Sequence, residues 1–316
     1  MIMRAFSSRL PALLAAAIVA AACAACGSAP ASSGSAGKAT AGFPVTLRAA
    51  NGAVHIKSRP ANVMSLSPTV TEMLYAIGAG REVKEVDDDS NYPPQAPRTK
   101  LSGYTPNVEA IVAYKPSLVI VSYDATSLTK SLAPFKIPVL YLPAPVGLAG
   151  VWSEFDELGR ATGHLAQAER EVTDLRHEVK QVVAAEPHHA KPLTYYYELD
   201  QTYYSVTSDT FIGKLLGLLG MKSIADSAKG AAASDGYPQL SAEFIVKANP
   251  DYIILADTIC CHQSAATVAA RPGWSALRAV KEHRIIPLND NIASRWGPRI
   301  VILLRDVETA IARDGS

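Results

Sequence analysis

One pattern occurs twice in the chain and restricts the available folds more than any other feature. Residues 107–121 read NVEAIVAYKPSLVIV and residues 241–255 read SAEFIVKANPDYIIL. Superposed without a gap, they place Asn107 on Ser241, Glu109 on Glu243, Pro116 on Pro250 and Ile120 on Ile254. Asn and Ser accept hydrogen bonds from the first free backbone N–H groups of a helix, so each copy opens a short helix. Each Glu falls in the first turn, where the positive end of the helix dipole favours it. The proline stops the helix, and the apolar run behind it suits a parallel strand buried on both faces. A Gly-Tyr pair precedes each copy, at Gly103-Tyr104 and Gly236-Tyr237. The pattern predicts two similar α/β lobes with mostly parallel sheets, each carrying one acidic residue at the same place.

At 316 residues and 48% hydrophobic composition, the chain is long enough for two lobes with ordinary cores. A net charge of +1 gives no electrostatic reason to expect a nucleic-acid partner. Neither a phosphate-binding GxxxxGK(S/T) loop nor a G-x-S-x-G nucleophile elbow is present, which removes two common enzyme classes. Two of the four cysteines lie near the N-terminus and the other two are adjacent, so they form no paired zinc framework.

Residues 1–25 combine Arg4 and Arg9 with an Ala-rich apolar stretch of signal-peptide length, short for a membrane span. The stretch runs into Cys23-Ala24-Ala25-Cys26-Gly27-Ser28, small residues before a cysteine as in a bacterial lipobox. The expectation is export with lipid attachment at Cys26. Cys23 is the competing position, and a plain secretory signal is the simpler alternative. Residues 26–42 are Gly-, Ser- and Ala-rich and read as a flexible tether.

The N-terminal lobe is expected over residues 43–150. It opens with a hairpin turning at Asn51-Gly52, followed by a strand at 63–66, a helix at 69–77 and strands at 83–86 and 137–142. Residues 151–188 are nearly all helix formers. Gly163 divides them into helices at 151–162 and 165–185, the second roughly 30 Å long and placed to be a spine between the lobes. The C-terminal lobe, 189–316, carries an aromatic strand at 194–199, a helix at 211–219, the second repeat copy, and a last helix from about Pro298.

In this order the segments NVMSLSPTVTEMLYAIGAG, NYPPQAP, GYTPNVEAIVAYKPSLVIV, YPQLSAEFIVKANPDYIIL, ARPGWSALRAVKEHRIIPL and SRWGPR resemble the substrate-binding proteins of bacterial ABC importers for cobalamin, haem and ferric siderophores. The resemblance spans roughly residues 60–310. It implies two Rossmann-like lobes joined by one rigid helix, a ligand cleft between them, and two partners, a membrane permease and a separate ATPase. It also implies that one acidic residue per lobe docks onto the permease, at Glu109 and Glu243.

Loops at the carboxyl ends of parallel strands are where such sheets bind ligands. They nominate Ser67, Asp89, Tyr104, Tyr123, Asp200, Tyr203, Asp257, Asn291, Arg295 and Trp296. Aromatic rings stack on planar chelates, and a guanidinium adds cation–π attraction. Ordinary packing is the alternative for any one tyrosine, and a structural ion pair is the alternative for Arg295. The run Asp87-Asp88-Asp89 suits a hard cation but more often forms a solvated loop. Cys260-Cys261-His262 leaves three readings open: a vicinal disulfide, a soft-metal or haem ligand, and two reduced thiols at a cleft rim. His55, His164, His177, His188, His189 and His283 are scattered and do not suggest a metal-ion cluster.

The resulting expectation is an extracytoplasmic, lipid-anchored binding protein with no catalytic residues, metal centre or cofactor of its own. It would capture a metal chelate, either a corrinoid or a ferric siderophore, for an ABC permease. A haem or free-metal binder and an exported α/β enzyme are the alternatives.

Overall fold

In a computed structural model describing residues 42–123, 127–186 and 189–314, the repeat copies form equivalent helix–strand units of two parallel sheets. The expected signal segment, Cys23, Cys26 and His188 lie outside the described residues. The described residues all belong to one compact unit, Ala39–Ser316.

The chain opens with an antiparallel hairpin, β1 (Val45–Ala49) and β2 (Gly52–Ile56). The first lobe follows as β3 (Val63–Leu66), α1 (Pro68–Ala76), β4 (Val83–Val86), α2 (Val108–Ala113), β5 (Leu118–Val121), α3 (Leu128–Leu132) and β6 (Val139–Tyr141). Its four parallel strands lie in the order β4-β3-β5-β6. Asn51, in the hairpin turn, donates to Val139 O at 2.9 Å and accepts from Tyr141 N at 3.2 Å. It therefore satisfies backbone groups of edge strand β6 that no further strand would pair.

Two helices connect the lobes: α4 (Leu148–Thr162) and α5 (Leu165–Ala185). The second lobe contains β7 (Leu193–Glu198), α6 (Phe211–Gly217), β8 (Met221–Ser223), α7 (Ala242–Ala248), β9 (Tyr252–Leu255), α8 (Ala265–Ala269), α9 (Arg278–Lys281), β10 (Ile285–Pro287), α10 (Asp290–Ala293) and α11 (Ile300–Asp314). Its parallel strands take the order β8-β7-β9-β10, the same as in the first lobe.

The repeat accounts for this likeness residue by residue. Asn107 Oδ1 accepts from Ala110 N at 2.9 Å, and Ser241 Oγ accepts from Phe244 N at 3.1 Å. At the far ends of the helices, Lys115 (φ 51°) and Asn249 (φ 47°) both turn left-handed just before the prolines. β5 and β9 are buried along their whole length, as their apolar runs require.

The inner faces of both sheets, with α1, α4, α5, α6 and α11, share a single apolar core running from Val63 and Met73 through Phe155 and Leu175 to Tyr197 and Leu304. Separate smaller clusters cover the outer faces. α5 packs against both α4 and α11, and Arg305 Nη2 meets Glu178 Oε2 at 2.6 Å. A shared core of this kind resists relative movement of the lobes, because separating them would expose close-packed apolar surface. The sequence reading missed β8 and the short helices α3, α8, α9 and α10, which are only a few residues long and show no periodicity.

Candidate functional site

Where β3 and β5 end, the first lobe faces the corner between α10 and α11, leaving a cavity of about 420 Å³. Ser67, Asp89, Tyr104, Tyr123, Asn291, Arg295 and Trp296 all line it. Ser67 has two roles. Its side chain caps α1 at Val70 N, and its Oγ accepts from Ser122 Oγ at 2.8 Å. Tyr104 is 67% exposed and Tyr123 49%, with ring centroids 5.9 Å apart and planes tilted by 58°. Two large aromatic faces left open at a cavity are a surface that a ligand can cover.

Gly103 lies where the chain passes close to the β3 end. A Cβ there would come 2.8 Å from Asp87 Oδ2 and 2.9 Å from Leu66 O, so the position has no room for a side chain. Asp87 is buried and hydrogen-bonded to Ser90, and burial pushes its carboxyl up to about 6. Asp88 and Asp89 are exposed. Among the described residues, no group of three or more His, Cys, Asp or Glu side chains is placed to hold a metal ion.

Arg295 lines the cavity but is held in the ion pair that was the alternative reading for it. It is 6% exposed; Nη1 donates to Glu72 Oε1 at 2.8 Å, and Nη2 donates to Asp89 O (3.0 Å) and Asn291 Oδ1 (2.9 Å). Arg299 reaches the same carboxylate through Nε (2.8 Å) and Nη2 (2.6 Å), and its guanidinium sits 4.3 Å from the centroid of the Tyr92 ring. Glu72, fully buried on α1, thus ties two arginines of the second lobe to the first. Asn91 Nδ2 adds a hydrogen bond to Asn291 Oδ1 at 3.0 Å. The sequence reading missed Glu72 altogether. Its only signal was an acidic residue among the apolar residues of an otherwise ordinary helix.

Asp200, Tyr203 and Asp257 are not among the residues lining this cavity. Asp200 Oδ1 accepts from Thr202 N at 2.7 Å within its own turn. Tyr203 stacks on Trp274 at 5.8 Å beneath the guanidinium of Arg271. Arg271 binds both oxygens of buried Glu198, at 2.5 and 2.6 Å. Asp257 is fully buried with neither carboxyl oxygen hydrogen-bonded, and burial beside Glu198 pushes it up to about 7. All three lie outside this cavity, Asp200 in a turn and Tyr203 and Asp257 within the packing of the second lobe.

Cys260 and Cys261 are joined as a disulfide, with Cα atoms 3.8 Å apart. Their loop is held by the Asp290 carboxylate, which accepts from Ile259 N (3.0 Å), Cys260 N (2.7 Å) and Thr258 Oγ1 (3.1 Å). Glu109 and Glu243 are exposed at the second position of α2 and α7. Hydrogen bonds from its own N–H and from Ser241 hold Glu243 below the usual carboxylate range. No helix among the described residues is long and apolar enough to cross a membrane.

An uncharacterised ABC transporter substrate-binding lipoprotein of Bacillus subtilis is 29% identical over 282 residues, covering 86% of this chain and 87% of that protein. A cobalamin-binding protein of Halobacterium salinarum is 30% identical over 270 residues, covering 82% of this chain and 72% of that protein. Among solved structures, a possible iron-binding, periplasmic solute-binding protein from Staphylococcus epidermidis superposes with a TM-score of 0.69 at 26% identity. That match covers 80% of this chain and 99% of the other. The periplasmic vitamin B12-binding protein of Vibrio cholerae shares the fold, with a TM-score of 0.68 at 22% identity over 81% of this chain and 98% of that one. Residues 63–292 match the family described as periplasmic binding protein, and the chain belongs to that family.

Proposed function

We propose that this protein is the extracytoplasmic, lipid-anchored binding component of an ABC importer and that its cleft takes a corrinoid. Relatives named as cobalamin- or vitamin B12-binding at 28–30% identity support this class of ligand. The observation that carries the choice within the class is electrostatic. The cleft presents two open tyrosine rings and Trp296, while Arg295, the one cation lining it among the described residues, is buried and ion-paired with Glu72. Asp87 and Asp89 add negative character. Such a surface suits a bulky chelate with neutral peripheral amides, and it repels a polyanionic ferric catecholate.

In this reading Glu109 and Glu243, placed alike on the two lobes, dock onto basic patches of a two-fold permease. The exposed phenols of Tyr104 and Tyr123 favour one alternative, haem, because a tyrosinate is a recognised haem-iron ligand. Titration of the purified soluble domain with cyanocobalamin, haem and a ferric tricatecholate tests the proposal. Tight one-to-one binding of the corrinoid alone is expected. A Soret band on haem addition, with no corrinoid binding, would replace this reading with the haem one.

A further inference from the structure

Glu72 is a carboxylate with no exposed side-chain area, contributed by α1 of the first lobe, and it is shared by two guanidiniums from the α10–α11 corner of the second. Arg295 lines the cleft, and Arg299 lines a separate groove of about 490 Å³ bounded by α1, α5 and α11. The triad is therefore a partition between two solvent-accessible spaces, carrying two positive charges and one negative.

Among the described residues, the other direct partners of these guanidiniums are neutral: Asp89 O and Asn291 Oδ1 for Arg295, Asn291 O and the Tyr92 ring for Arg299. Without the Glu72 charge, two like charges would be left side by side with only dipoles to hold them. Arg295 Nη1 would lose its acceptor at the cleft wall. Buried cations in that state draw in an anion wherever one can enter.

We propose that Glu72 is a specificity-determining positioning residue: by holding Arg295 and Arg299 it withdraws their charge from the cleft, so that chelates without net negative charge are preferred. This rests on the corrinoid reading for the identity of the preferred ligand, but not for the direction of the effect. A purely mechanical role, fastening α1 to the α10–α11 corner, would weaken binding of all ligands together and leave their ratio alone.

The test compares affinities for cyanocobalamin and a trianionic ferric tricatecholate in wild type, Glu72→Gln and Glu72→Asp, with thermal unfolding as the check on folding. Glu72→Gln is expected to shift the affinity ratio toward the anion by about tenfold or more, including gain of anion binding where wild type shows none. Glu72→Asp, which keeps the charge, should retain most of the wild-type ratio. Should Glu72→Gln fail to fold, Arg299→Gln gives the opposite arm. It removes one positive charge and keeps the Glu72–Arg295 pair, so the ratio should move away from the anion. A folded Glu72→Gln, or Arg299→Gln in its place, with an unchanged ratio overturns the proposal. Wild-type preference for the tricatecholate would overturn the corrinoid reading, while the changes in ratio would still report on Glu72.

Discussion

Trp296 donates its indole N–H to Oε2 of Glu154 at 2.8 Å, fastening one wall of the cleft to the first connecting helix. Glu154 is 6% exposed, and burial pushes its carboxyl up to about 8 against the lowering effect of that hydrogen bond. The folded protein therefore keeps a proton that the unfolded chain gives up near the ordinary glutamate value. Between about pH 4.5 and 8 this lowers stability as pH rises, by roughly 1.4 kcal/mol for each pH unit climbed, and the loss is complete above the folded value. Glu154→Gln keeps an acceptor for the indole and removes the titration. It should raise Tm at pH 8 and change it little near pH 4. Melting curves of both proteins across that range check this, and the difference between them cancels similar contributions from Asp87 and Asp257.

The two aromatic sites make opposite predictions. Tyr104→Ala and Tyr123→Ala should each weaken ligand binding by about 1 kcal/mol and leave Tm near wild type, because both rings are open to solvent until covered. Tyr203→Ala should do the reverse, lowering stability by about 1–3 kcal/mol through loss of its stacking on Trp274 and leaving affinity unchanged. Calorimetric titration paired with thermal unfolding separates the two effects.

Glu109 and Glu243 are exposed at matching helix starts, and two roles diverge under mutation. Residues that only complement helix dipoles would give slightly lower melting temperatures and normal uptake when changed to Ala. As docking residues, Glu109→Lys and Glu243→Lys should leave ligand affinity intact and impair uptake and ATPase stimulation. The double variant should be worse than either single one. Docking should also weaken with salt, since exposed charges are screened over about 8 Å at physiological ionic strength. Normal uptake by the double variant with its cognate permease would rule docking out.

At the N-terminus, Cys26→Ala should release the protein from the membrane fraction and abolish labelling by a fatty-acid probe. Loss of both through Cys23→Ala alone would move the attachment to that residue.

The elements legible in the sequence are those whose causes are local. Asn107 and Ser241 cap helices whose first free N–H groups lie three residues on, and Pro116 and Pro250 end those helices by sterics with their immediate neighbours. The bounds of α5 are likewise written in an unbroken run of helix formers between Gly163 and Glu186. From the repeat it follows that the lobes are alike, and the structure shows the same strand order in both. What the loop residues do is not local. Tyr203 and Tyr104 look equivalent in the sequence, yet one stacks on Trp274 and the other stands open at the cavity. Glu72 meets Arg295 and Arg299 across more than 200 residues of chain. A carboxylate in a helix carries no local mark of the cation it will find, because that pairing is set by how the lobes pack around their shared core. The sequence alone thus determined the two-lobed scaffold and its family resemblance, and tertiary packing decided which buried carboxylate Arg295 and Arg299 meet.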